Sequence, residues 1–174
     1  MNDAAERTLE SRLVAACRER GVAVATAESC TGGLIAARIT SVPGSSAMFL
    51  GGVVSYANAA KRDLLGVPQE VLDRVGAVSA ECAEALSTGV RERLKADVAV
   101  SVTGIAGPDG GTPQKPVGLV YIGVATAASA TVERCLFAGD REAVRRQASD
   151  RALVLLLDAL RSPERVLSAS ECLR

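Results

Sequence analysis

Residues 22–33 read Val-Ala-Val-Ala-Thr-Ala-Glu-Ser-Cys-Thr-Gly-Gly (VAVATAESCTGG), and the fold turns on them. Val22 to Ala27 is a short apolar run of strand character. Glu28-Ser29-Cys30-Thr31-Gly32-Gly33 then turns the chain into a helix over about Gly32 to Thr40. Upstream, Leu9, Leu13, Ala16 and Cys17 repeat at helical spacing and the pattern stops at Gly21, so Ala5 to Arg20 reads as an amphipathic helix. Helix, buried strand, elbow and helix in quick succession open an α/β domain.

Downstream, Pro43-Gly44-Ser45-Ser46 is loop, and Phe49 to Tyr56 is a second strand whose adjacent glycines mark a bulge. Asn58 starts a helix carrying Lys61, ended by Gly66-Val67-Pro68, and Gln69 to Val75 is a short helical segment. Ser79 to Lys95 is helical by period with Ser79 as its cap, and Asp97 to Val102 is a buried strand. Thr103 to Gly118 is a long loop with five glycines and three prolines, a length often tied to function. Leu119 to Thr126 and Thr131 to Phe137 form an antiparallel hairpin, and Asp140 to about Arg161 is the closing helix. The order predicts a three-layer α/β/α sandwich around a mixed, mostly parallel sheet of about five strands with a late hairpin. The 174 residues are expected to form a single domain, its core at about 5–161 and a polar tail at 162–174.

Composition narrows the chemistry. Apolar content of 48% rests on Ala, Val and Leu, with only 2% aromatics, which suits tight packing between layers. Lys+Arg and Asp+Glu balance at 20 each, so no global positive field favours nucleic acid. Five cysteines without metal spacing fit a reduced compartment, and the polar first ten residues and lack of a long apolar run predict a cytoplasmic protein that does not engage a membrane. The chain has no histidine, which excludes Ser-His-Asp and Cys-His triads and every His-ligated metal site.

Ser29 sits where strand gives way to helix, followed by small residues. The N–H groups of the elbow, Cys30, Thr31, Gly32 and Gly33, can converge beside its hydroxyl as an oxyanion hole, and the helix amino terminus favours negative charge on an intermediate or a phosphate. Read alone, Ser29 is more simply an N-cap. As a nucleophile it needs a base, which without histidine is a lysine of lowered pKa, a carboxylate or a tyrosine relay. There are three lysines against seventeen arginines. Lys61, just past a buried strand and after Tyr56, is placed to be desolvated, its alternative being an ordinary surface lysine. Lys95 complements a helix carboxyl end, and Lys115 is either a phosphate contact or a solvated loop charge. Cys30 is a rival nucleophile or a small residue tucked under the elbow. The run from Thr103 through Gly104, Ala106 and Gly107 follows a strand end, where open α/β sheets bind ligands. Arg141 and Arg145 share a helix face, with an anion between them or only solvent.

Taken together, ATAESCTGG (25–33), GGVVSYANAAK (51–61), GAVS (76–79), VTGIAGPDGG (102–111), KPVG (115–118) and GDREAVRRQA (139–148) closely resemble the CinA carboxy-terminal family, in its order, from about Leu9 to Leu160. Its single-domain branch is the PncC-type nicotinamide-nucleotide amidohydrolases; larger members add an amino-terminal nucleotide pyrophosphatase domain, and this chain is expected to correspond to the single-domain form. The resemblance implies hydrolysis of nicotinamide mononucleotide to nicotinate mononucleotide and ammonia in pyridine nucleotide salvage, with no metal or cofactor. Carried over, the nucleophile falls on Ser29, the base on Lys61 and the assisting tyrosine on Tyr56. Thr103, Gly104, Ala106, Gly107, Lys115 and Arg145 are the expected substrate-binding residues. A non-catalytic nucleotide-binding or regulatory module, or an amidase for another small amide, are the alternatives. A homo-oligomer is the expected assembly.

Overall fold

A computed structural model describes residues 8–161. In chain order these form α1 (Leu9–Arg20), β1 (Val24–Glu28), α2 (Leu34–Thr40), a single 3-10 turn (Ser45–Ala47), β2 (Phe49–Val54), α3 (Asn58–Leu65), α4 (Gln69–Arg74), α5 (Ala80–Leu94), β3 (Val98–Gly104), β4 (Leu119–Ala125), β5 (Ala130–Leu136) and α6 (Arg141–Arg161). The expected helix start at Ala5 and the polar tail at 162–174 lie outside the described residues. No helix among the described residues is long and apolar enough to cross a membrane.

The five strands make one mixed sheet in the order β2-β1-β3-β4-β5. β1 pairs in parallel with β2 and β3, whereas β3–β4 and β4–β5 are antiparallel. From β1 the chain passes first to β2 on one side and later to β3 on the other. The carboxyl end of β1 is therefore the point where connections diverge and leave a crevice, the usual ligand position in open α/β sheets.

The two faces of the sheet differ in side-chain size. Val24, Val98, Val100 and Val102 pack with Leu13, Ile35, Ile39, Leu153 and Leu156 of α1, α2 and α6. On the other face the same strands present Ala25, Ala27 and Ala99 to Leu86 and Val90 of α5 and to Leu65 and Leu72 of α3 and α4. Small residues let α5 lie close. Ser101 Oγ donates to the Ala83 carbonyl at 2.5 Å, and a Cβ at Gly123 would stand 2.5 Å from that same oxygen.

Several boundaries differ from the sequence expectation, each for a local reason. β1 runs on to Glu28. α2 begins at Leu34 rather than Gly32, because Gly32 and Gly33 adopt left-handed backbone at φ 62° and 94°. The expected bulge is present: Val24 pairs with Phe49 and Ala25 with Gly51, skipping Leu50. Thr103 and Gly104, read as loop, continue β3 opposite Tyr121 and Val120 of β4. Pairing with the hairpin outweighs the glycine's weak strand preference.

Candidate active site

The elbow is held by β3 on one side and by a carboxylate beneath. Ser29 N–H donates to the Val102 carbonyl at 2.9 Å, carrying the β1–β3 pairing one residue past the strand, and Gly32 N–H donates to the Ser29 carbonyl at 3.1 Å. Glu28, 1% exposed, accepts from the N–H groups of Gly33 at 3.0 Å, Ile35 at 3.1 Å and Ala36 at 2.9 Å. Gly33 as N-cap has no side chain to do this.

This corrects the picture of a helix terminus open to anions. The first-turn donors of α2 are already engaged, Ile35 and Ala36 by Glu28 and Leu34 by the Thr31 carbonyl at 3.3 Å, so neither an oxyanion nor a phosphate finds them free. Of the four expected elbow donors, Gly32 and Gly33 are engaged. Those of Cys30 and Thr31 donate to no oxygen among the described residues.

Lys61 reaches the elbow from α3. Helical side chains lean toward the amino end of their helix, which carries its amine back to the carboxyl end of β2. There Nζ donates to the carbonyls of Ser55 at 2.7 Å and Tyr56 at 3.1 Å and lies 3.1 Å from Ser29 Oγ. Lys61 is 1% exposed and Ser29 9%. No carboxylate pairs with the amine among the described residues, and burial lowers its pKa from the ordinary 10.5. The positive end of α3 opposes an ammonium in the same sense. A neutral amine has two N–H groups, matching the two carbonyls, and one lone pair, which falls to the Ser29 hydroxyl.

Cys30 is buried beside the nucleophile. Desolvation, with a smaller contribution from Glu28, pushes its thiol up to about 11, so the thiolate is scarce near neutrality. Cys82, within electrostatic reach of Lys61 and Lys115, is likewise pushed up to about 11 by burial.

The remaining expected residues are held by contacts that were not all foreseen. The Tyr56 side chain is 62% exposed, and its hydroxyl accepts from Arg141 Nη2 at 3.1 Å; only its main-chain carbonyl meets Lys61. Arg141 Nη1 also donates to the Gly107 carbonyl at 3.0 Å. Arg145 Nη2 donates to the Thr31 carbonyl at 2.7 Å. Thr103 Oγ1 donates to the Ala77 carbonyl at 2.8 Å and Lys115 Nζ to that of Val75 at 2.6 Å, tying the segment after α4 to the end of β3 and to the glycine-rich loop. Ala106 is buried, and a Cβ at Gly107 (φ 78°) would lie 2.5 Å from Val117 Cγ1. Gly104 is closed to any side chain by the Leu119 carbonyl.

Sequence reasoning missed Glu28. The one signal available was a charged residue closing an otherwise apolar strand. Arg141 is visible in the sequence as a cation opening the last helix, but its span from Tyr56 to Gly107 has no sequence mark.

A three-layer α/β domain with a buried serine–lysine pair at the carboxyl end of its central strand is the class these features define. The sequence profile of the CinA C-terminal domain matches residues 6–160, and the chain belongs to that family. It is 56% identical over 137 residues to a CinA-like protein of Citrifermentans bemidjiense, covering 79% of this chain and 33% of that one. It is 52% identical over 155 residues to a CinA-like protein of Akkermansia muciniphila, covering 88% and 37%. The chain thus spans about a third of the length of these curated relatives. Among solved structures, the competence/damage inducible protein CihA from Agrobacterium tumefaciens superposes with a TM-score of 0.85 at 42% identity, covering 88% of this chain and 94% of that one.

Proposed function

We propose that this chain is a Ser/Lys amidohydrolase that converts nicotinamide mononucleotide to nicotinate mononucleotide and ammonia, serving pyridine nucleotide salvage in the cytoplasm as a homo-oligomer. The observation that carries the chemistry is the buried Lys61 amine 3.1 Å from Ser29 Oγ, with two carbonyls taking its other hydrogen-bonding capacity. What supports the substrate is the resemblance of the six motifs to the family whose single-domain branch is the PncC-type amidohydrolases.

In this reading neutral Lys61 takes the Ser29 proton directly as Oγ attacks the amide carbon. The N–H groups of Cys30 and Thr31 receive the oxyanion. Lys61 then returns the proton to the departing nitrogen, which leaves as ammonia, and an acyl-serine remains. Water, deprotonated by the same amine, attacks the acyl carbon and frees Ser29. The phosphate is assigned not to the α2 donors that Glu28 holds but to Arg145, which lies against the elbow at the Thr31 carbonyl, together with Lys115 and the glycine-rich loop.

The test is ammonia release from nicotinamide mononucleotide, nicotinamide riboside and nicotinamide. Selective turnover of the phosphorylated compound is expected; turnover of none of the three, or preference for free nicotinamide, contradicts the assignment.

A further inference from the structure

Among the described residues, Glu28 is the one buried carboxylate and Lys61 the one buried ammonium or amine, and no ion pair joins them. A carboxylate withdrawn from water without a cation is costly unless its lone pairs are filled. Here three backbone donors fill them. For capping alone this is an extravagant device: a serine or aspartate at the N-cap would serve the seven-residue α2 without burying a charge. What the longer reach from β1 adds is closure. The chain from Glu28 to Gly33 becomes a ring pinned at both ends, and the three residues at its crown are Ser29, Cys30 and Thr31.

We propose that Glu28 is a positioning residue for catalysis: by capturing the N–H groups of Gly33, Ile35 and Ala36 it holds the elbow in the shape that sets Ser29 Oγ against Lys61 Nζ and leaves the Cys30 and Thr31 N–H groups for the substrate oxygen. This rests on the Ser/Lys reading above. It acts through the elbow backbone and not on the lysine, so it governs the rate of attack by Ser29 without changing the pH at which Lys61 gains its proton.

The test reads Ser29 directly, without a nucleotide. An alkyl fluorophosphonate is attacked at phosphorus by Ser29 Oγ; the O–P bond forms, the P–F bond breaks, fluoride leaves and the serine proton passes to Lys61. Glu28→Gln keeps the size and one acceptor oxygen but turns an amide NH2 toward donors. It is expected to slow labelling about tenfold or more, with the pH midpoint of the labelling rate unmoved. If Glu28→Gln does not fold, Glu28→Asp answers the same question, since its shorter carboxylate keeps the charge but cannot span all three N–H groups. Labelling at the wild-type rate in a folded variant overturns the proposal. A loss accounted for wholly by a smaller folded fraction, measured by circular dichroism on the same samples, or a shifted pH midpoint, also overturns it. Wild-type protein labelled no faster than Ser29→Ala removes the Ser/Lys reading itself, and this proposal with it.

Discussion

Lys61 Nζ lies 3.1 Å from Ser29 Oγ, joining the carboxyl ends of β1 and β2 through two side chains nearly withdrawn from solvent. Among the described residues no other side chain is hydrogen-bonded to Ser29 Oγ, so on the Ser/Lys reading proposed above the two are expected to act as a unit. Ser29→Ala and Lys61→Ala are each expected to lower kcat/KM for ammonia release by about a thousandfold, and the double variant by little more than either. Additive losses in steady-state kinetics would mean that the two do not share a step.

Lys61 also sets a pH signature in stability. Its folded pKa is below the unfolded 10.5, so between those values the unfolded chain binds the proton and the folded one does not. Stability therefore rises with pH across that window, and the cost of burying the amine is greatest below the folded pKa. Lys61→Met removes this dependence. The midpoint of the variant minus that of the wild type is expected to shrink as pH rises toward 10.5, read by thermal unfolding over a pH series; a difference independent of pH contradicts a depressed Lys61.

Cys30 adjoins the nucleophile without replacing it. With its thiol pushed up to about 11 and its N–H unaffected by side-chain exchange, Cys30→Ala is expected to keep ammonia release within about fivefold of wild type. Abolished activity in this variant, with Ser29→Ala still active, would transfer the nucleophile to sulfur.

Tyr56 separates a proton relay from a bystander. Its phenol is bonded to Arg141 and not to Ser29 or Lys61, while the carbonyl that accepts from Lys61 is main chain. Tyr56→Phe is expected to cost about fivefold or less in kcat, the worth of one hydrogen bond. A drop comparable to that of Lys61→Ala in the same assay would restore the relay.

Close approach of α5 predicts two sensitive glycines. A Cβ at Gly89 would run into the Leu65 carbonyl, and one at Gly123 into the Ala83 carbonyl and Ser101 Oγ. Gly89→Ala and Gly123→Ala are each expected to destabilise by about 1–3 kcal/mol, read as a lower urea midpoint.

The strand, elbow and helix were legible at 22–40 because apolar runs and glycines leave a periodic trace. Ser29 and Lys61 stood out through the missing histidine and the scarcity of lysine. Glu28 did not, since its partners are backbone N–H groups, which every residue carries and no sequence marks. Arg141 and Arg145 were visible as cations sharing a face, but the Gly107, Tyr56 and Thr31 groups they bond come from distant segments. The composition of Thr103 and Gly104 is that of a loop, and only their pairing with β4 makes them strand.

The central claim is that an uncharged Lys61 deprotonates Ser29. Its most direct measurement is kcat/KM for ammonia release from nicotinamide mononucleotide against pH, in the wild type and in Lys61→Arg, whose guanidinium keeps the charge but cannot give up its proton. A wild-type limb that rises with pH on one group titrating below 10.5 is expected, with the variant slower by about a thousandfold or more. Turnover by Lys61→Arg near the wild-type rate, with the same rising limb, would contradict it.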